Sequence, residues 1–193
     1  MLAIRVHGTG GPEVLEVEDI DLPPPGKGEV RIAHEAVGLN YIDTYHRSGL
    51  YPVKTPFTPG SEAAGRVVAV GEGVKKFKRG DRVAYVASLC AYAAEANVPE
   101  TTAVKLPKGV SADRAAALML KGLTCEYLLF RTFPVKKGTV MLVHAAAGGV
   151  GLILCQWARS LGCTVIGTVG SREKAKLAKK NGCHHVILYR EED

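Results

Sequence analysis

A glycine turn between a strand-like run and a helix-like run constrains this chain more than any other feature. Val140-Met141-Leu142-Val143-His144 is a compact apolar run of the kind found in buried strands, and Leu152 to Leu161 carries its apolar residues on one side of a helix. Between them lies Ala146-Ala147-Gly148-Gly149-Val150-Gly151, the dinucleotide fingerprint GxGxxG with alanine at the first glycine position. A Cβ at Gly148 or Gly149 would hold a pyrophosphate away from the backbone amides at the helix N-terminus, and Gly151 lets the helix pack closely on the strand. Cys163 to Val169 then reads as a second strand, Arg172 to Lys180 as a second helix stopped by Asn181-Gly182, and His185 to Tyr189 as a third strand. This is the βαβαβ half of a doubly wound parallel sheet.

The end of the second strand bears on which dinucleotide is bound. NAD sites place an acid about 20 residues beyond the glycine turn, on the ribose 2′-hydroxyl. Here the strand ends Thr168-Val169-Gly170-Ser171-Arg172, with no acid before Glu173. A carboxylate would repel a 2′-phosphate, whereas Ser171, Arg172 and Lys174 can donate to one. Arg172 reads equally well as surface helix charge. The missing acid and the basic turn favour NADP over NAD.

The preceding residues have a different texture. Leu2 to Val6, Val14 to Val17, Glu29 to Val37, Ala63 to Val70 and Arg82 to Ala87 are short strand-like runs separated by Gly and Pro turns. Strands at such intervals indicate a small barrel or sandwich. Near Ser111 the pattern becomes helical, with Ser111 at the N-cap of a first helix and Leu123 to Phe130 forming a second. The expected organisation is a β-rich domain over 1–120, a linking helical region over 121–138 and a nucleotide-binding half over 139–193. A complete doubly wound fold has about six strands, and three follow Thr139. The 193 residues alone are therefore expected to expose a sheet edge and to bind NADPH poorly.

Composition excludes several classes. With 47% apolar and 23% charged residues the chain is not disordered, and its 22 glycines follow no three-residue period. The longest apolar stretch, Ala145 to Cys155, is too short to span a membrane. The net charge of +6 gathers partly at Lys75, Lys76, Lys78 and Arg79 and partly between Arg172 and Lys180. Phe77 stands alone in the first run and no aromatic lies in the second, which is not the interleaving a single-strand binding groove needs, so a nucleic-acid partner is not expected. Five cysteines with no CxxC pair read as reduced thiols, and no signal peptide opens the chain, so a cytoplasmic location is expected.

The chain resembles the zinc-free quinone oxidoreductases of the medium-chain dehydrogenase/reductase superfamily, the zeta-crystallin-like group. The likeness is carried by Gly38 to Pro52, Pro59-Gly60-Ser61-Glu62-Ala63-Ala64-Gly65, Gly80-Asp81-Arg82-Val83, Leu120 to Thr124, His144 to Gly151 and Tyr189 to Asp193. It implies a GroES-like β-barrel catalytic domain followed by the first half of a Rossmann domain. It also implies NADPH-dependent reduction of a quinone by hydride transfer, without a metal. Zinc-dependent relatives carry Cys where Asn40 stands and His where Ser61 stands, and neither Asn nor Ser suits zinc.

The resemblance further assigns Tyr41, Ile42, Asp43, Thr44 and Tyr45, on a loop after the third strand, to the nicotinamide end of the cofactor. It puts Asn40 and Tyr45 near the substrate carbonyl. Tyr127 contacts the cofactor, Gly148, Gly149, Val150 and Gly151 hold the pyrophosphate, and Gly170, Ser171, Lys174 and Tyr189 surround the 2′-phosphate. Complete members of the family imply a homodimer. Two other activities fit the same scaffold: NADPH-dependent reduction of enones or other activated alkenes, with Tyr45 as a proton donor, and a non-catalytic NADPH- or RNA-binding role.

Overall fold

The structure is a computed structural model that describes residues 1–87 and 89–191. Glu192 and Asp193, at the end of the last matching stretch, lie outside the described residues. The chain forms two compact units, Met1–Leu120 and Lys121–Asp193.

The first unit is built on antiparallel strands. β1 (Leu2–Arg5) and β2 (Glu16–Asp19) form a hairpin, and β3 (Glu29–Gly38), β4 (Glu62–Val70), β5 (Arg82–Val86), β6 (Glu95–Pro99) and β7 (Ala103–Lys105) form a sheet in the order β6-β3-β4-β5-β7. β2 begins later than Val14, because Pro12 starts a 3-10 turn over Pro12–Val14 and its ring fixes φ for that turn. Val30, Ile32, Val67, Val83, Tyr85 and Val98 make a core on one side of the sheet. On the other side Ala112, Ala115 and Ala116 of helix α2 (Ala112–Tyr127) pack against Ala64 and Ala84. Both faces of β4 and β5 are thus covered, and small side chains let helix and sheet approach closely. Ser111 caps α2 by accepting a hydrogen bond from the Arg114 N–H at 3.3 Å.

Two expectations for this unit need correction. Tyr41 to Tyr45 do not lie on a loop: they open helix α1 (Tyr41–Ser48), with Asn40 as N-cap and Gly49 ending it in the left-handed region at φ 82°. The two separate helices expected after Ser111 are one, because a single interior glycine, Gly122, costs a helix only about 1 kcal/mol. A π turn over Leu128–Thr132 follows.

The second unit carries a parallel sheet in the order β10-β9-β8, from β8 (Val140–Val143), β9 (Thr164–Val169) and β10 (His185–Leu188). Helices α3 (Gly149–Ser160) and α4 (Arg172–Lys180) connect the strands. Four of the five cysteines, Cys125, Cys155, Cys163 and Cys183, are buried here as small apolar side chains, and all five are free thiols. Burial pushes the Cys155 thiol up to about 12, with Cys183 beside it adding to the effect. β8 was expected to be a buried strand, yet Val140 is 64% exposed and Leu142 54% exposed. It is an edge strand of the described sheet, and only Val143 among its apolar side chains is fully buried. Among the described residues no helix is long and apolar enough to cross a membrane.

Candidate functional site

In the first unit the candidate residues converge on a buried polar network at the start of α1. Asn40 and Asp43 form a capping box, in which the Asn40 N–H donates to Asp43 Oδ2 at 2.9 Å. The Tyr92 hydroxyl donates to the same oxygen at 2.7 Å. The Asn40 side-chain amide donates to Glu62 Oε1 at 2.8 Å, and the Leu120 N–H donates to Glu62 Oε2 at 2.6 Å. Asn40 and Asp43 are buried, and Glu62 is wholly inaccessible. Burial, followed by the bond to Asp43, pushes the Tyr92 hydroxyl far above its ordinary value, so it stays a donor. This network fixes which face of the Asn40 amide is spent: its nitrogen is committed to a carboxylate.

Tyr45 stands outside that network. Its ring meets Tyr41 edge-on at 5.3 Å between centroids and Tyr51 at 5.2 Å. Tyr41 is 75% exposed, so the three tyrosines pack on one another with one side in solvent. Ile42 and Thr44 are half-buried, and the Thr44 hydroxyl donates to the Tyr41 carbonyl within the helix at 2.7 Å. Glu62 and Tyr92 escaped the sequence reading. Glu62 carried a signal, a lone acid heading the apolar run Ala63 to Val70. Tyr92 carried none, since its partner lies 49 residues away.

Nearby on the first unit, His34 is held neutral. Its Nδ1 lies 2.7 Å from the Ala93 carbonyl, which can only accept, so Nδ1 carries the proton and Nε2 accepts from the Tyr85 hydroxyl at 3.0 Å. Burial lowers its affinity for a second proton. Among the described residues one group has metal-ligating atoms in mutual reach, His7, Glu16 and Glu18 on the exposed hairpin, where Arg5 also meets Glu18 at 3.9 Å.

In the second unit the glycine turn and the end of β9 face one cavity of about 530 Å³. His144, Gly148, Thr168, Gly170, Lys174 and Tyr189 line it, with no carboxylate among its lining residues. Gly149, Val150 and Gly151 lie instead on a second cavity of about 540 Å³, which Gly148 shares. Gly151 admits no side chain: a Cβ there would stand 2.3 Å from the Ala145 carbonyl oxygen. The left-handed residue of the turn is Ala145, at φ 51°, one position before the alanine aligned with the first glycine. Ala146 is therefore free to fill the core, where it is fully buried.

At the far rim Ser171 caps α4, accepting from the Lys174 N–H at 3.3 Å. Lys174 and Tyr189 are exposed and reach the cavity, whereas the Arg172 guanidinium is paired with Glu191 at 2.9 and 3.1 Å. Tyr127 is half-exposed at the end of α2 and lines neither cavity. The arrangement suits a phosphorylated nucleotide. A turn without side chains meets a helix N-terminus, and a lysine, a phenol and a serine cap stand where β9 ends.

The chain is similar to known proteins along nearly its whole length. Residues 26–139 match the alcohol dehydrogenase GroES-like domain family, and residues 149–193 match a family described as zinc-binding dehydrogenase. A quinone oxidoreductase of Pseudomonas aeruginosa is 53% identical over 192 residues, which is 98% of this chain and 59% of that protein. The crystal structure of Escherichia coli quinone oxidoreductase complexed with NADPH superposes with a TM-score of 0.98 at 49% identity, covering 100% of this chain and 60% of that one. A 2-haloacrylate reductase of Burkholderia is 45% identical over 100% of this chain and 60% of its own. The chain thus spans about three-fifths of the length of the relatives it matches.

Proposed function

The chain belongs to the quinone oxidoreductases of the medium-chain dehydrogenase/reductase superfamily, and on that premise we propose that the protein carrying it uses NADPH to reduce quinones. The observation that carries this reading is the cavity at the end of β9, where Lys174 and Tyr189 meet Gly170 and no carboxylate is among the lining residues, the nearby Glu191 being paired with Arg172. When bound, the cofactor would supply a hydride from C4 of its nicotinamide. Gly148 to Gly151 would hold the pyrophosphate on backbone amides, and Tyr127 would contact the cofactor. Gly170, Ser171, Lys174 and Tyr189 would hold the 2′-phosphate, and the segment Tyr41 to Tyr45 would border the nicotinamide.

Asn40 and Tyr45 are the polar groups proposed for the substrate carbonyl. The reaction is proposed to run without a metal. The position that zinc-dependent relatives fill with a thiolate is Asn40, whose amide nitrogen is engaged with Glu62. A quinone gains aromaticity on reduction, so it demands little of a general acid, and no strong one is needed here. The five free thiols accord with a cytoplasmic setting.

The second reading, reduction of activated alkenes, draws on the 2-haloacrylate reductase among the relatives. It would ask Tyr45 to protonate the carbon beside the activating group. Assay of the purified protein with NADPH against 1,4-benzoquinone and a simple enone separates the two. The quinone is expected to be the better acceptor. A marked preference for the enone would overturn the quinone assignment and leave the NADPH site intact.

A further inference from the structure

Four cationic or phenolic side chains surround the end of β9, and they differ in what already occupies them. Arg172 is spoken for: its guanidinium makes contacts of 3.3, 3.1 and 2.9 Å to the Glu191 carboxylate. To turn toward a phosphate it would have to break this planar, two-pronged pair and leave a carboxylate beside the incoming dianion. Arg190 is different. It is exposed and makes no ion pair or hydrogen bond among the described residues. Its Nε stands 3.5 Å from the point where a Cβ of Gly170 would sit, and the Tyr189 hydroxyl stands 2.6 Å from the same point. A side chain at position 170 would collide with that phenol. The bare glycine therefore lets the Tyr189 phenol sit directly on the backbone with the Arg190 guanidinium beside it, at the edge of the cavity that Gly170, Lys174 and Tyr189 line.

We propose that Arg190 is a further ligand of the cofactor's 2′-phosphate, acting beside Lys174 and Tyr189, while Glu191 withholds Arg172 from that role. The inference rests on the NADPH reading above and adds a discriminating residue to it. Adjacent residues at the end of β10 thus play opposite parts: Arg190 offers its charge to the ligand and Glu191 cancels a neighbour's.

The test is calorimetric titration of the purified protein with adenosine 2′,5′-bisphosphate and with 5′-AMP, read as the ratio of the two dissociation constants. Arg190→Ala is expected to reduce that ratio about tenfold or more, the yield of one charge-assisted contact, with the 5′-AMP constant moving less than about twofold. Arg190→Lys should restore part of the ratio, and Arg172→Ala should change it less than about twofold. Two results would overturn the proposal. One is an Arg190→Ala ratio within about twofold of the parent, or a loss shared equally by both ligands. The other is a collapse of the ratio in Arg172→Ala. Failure of the parent protein itself to distinguish the two ligands would instead sink the NADPH reading, and this inference with it.

Discussion

In the first unit the carboxylates of Asp43 and Glu62 are almost inaccessible and are met by donors from Asn40, Tyr92 and Leu120. In the second, Lys174 and Tyr189 stand in solvent on an open cavity, and Arg190 is exposed beside Gly170. The difference separates two ways of making a polar site. Buried groups hold one geometry because breaking a single bond strands its partner in a medium that cannot solvate it. Exposed groups hold no such geometry and act by charge, which salt screens and neighbouring charges redirect. Damage in the first unit should therefore register as lost stability, and damage around the second unit's cavity as lost affinity and selectivity.

The largest effect should come from Glu62→Ala. It removes the acceptor for the Asn40 amide and the Leu120 N–H and leaves a cavity, a loss of about 3 kcal/mol or more in unfolding free energy. Chemical denaturation measures it, and a cost under about 1 kcal/mol would mean that the network is not what fixes Asn40. Glu62→Gln, which can still accept one bond, should lose less.

Next comes Gly151→Ala, the one place where the glycine turn is sterically closed. Its Cβ would stand 2.3 Å from the Ala145 oxygen and 2.8 Å from the Ala146 Cα, both backbone atoms. The strain should cost about 1–3 kcal/mol and weaken nucleotide binding as the turn is pushed aside. Unchanged binding of adenosine 2′,5′-bisphosphate by this variant would show that the turn's backbone does not hold the phosphate.

Tyr92→Phe tests the buried network more gently. Asp43 Oδ2 would keep only the Asn40 N–H, at a cost of about 1 kcal/mol. The pH dependence has a definite sign. Because burial and the Asp43 bond raise Tyr92 in the folded state, its contribution is complete below the ordinary value of 10.0 and is lost as the pH rises above it. Unfolding curves between pH 8 and about 11 should fall for the parent and fall less steeply for the variant. Parallel curves would place the alkaline loss elsewhere, Tyr85 being the next candidate, since burial raises it too.

The smallest effect belongs to the surface pair. Glu191→Gln should change stability by less than about 0.5 kcal/mol, since the Arg172 side chain is 76% exposed and such pairs are worth little. Its consequence should appear instead in ligand affinity, where a released Arg172 becomes available to phosphate.

What could be read from the sequence follows the range of the forces involved. The glycine turn, the helix that follows it and the cap at Ser111 were legible because each is a constraint among residues within a few positions. Helix α1 was legible in principle, since Asn40-x-x-Asp43 is a capping-box pattern, but the family resemblance put the segment on a loop. β6 and β7 were passed over: Glu95 to Pro99 does alternate, but its partner is β3, and the three residues of β7 are too few to show a period. The apolar run of β8 predicted burial on both faces, and Val140 and Leu142 are exposed, because an apolar strand is buried only where something covers it. The Glu62 and Tyr92 contacts join residues 22 and 49 positions apart, and no local pattern encodes them. The expectation of a reaction without zinc rests on residue type alone, at Asn40 and Ser61. The parts proposed for Arg190 and Glu191 have no local signal, since the residues beside them, Gly170 and Arg172, are distant in sequence.

The function proposed for the protein is reduction of a quinone without a metal, with a 2′-phosphorylated cofactor selected at the exposed site. Its most direct test is kcat/KM for NADPH and for NADH with 1,4-benzoquinone as acceptor, before and after exhaustive dialysis of the purified protein against EDTA. NADPH is expected to be favoured by about a hundredfold or more, as the two cationic contacts from Lys174 and Arg190 would give even without the Tyr189 phenol, with no change on dialysis. Equal use of the two cofactors, or activity lost on dialysis and restored by zinc, would contradict it.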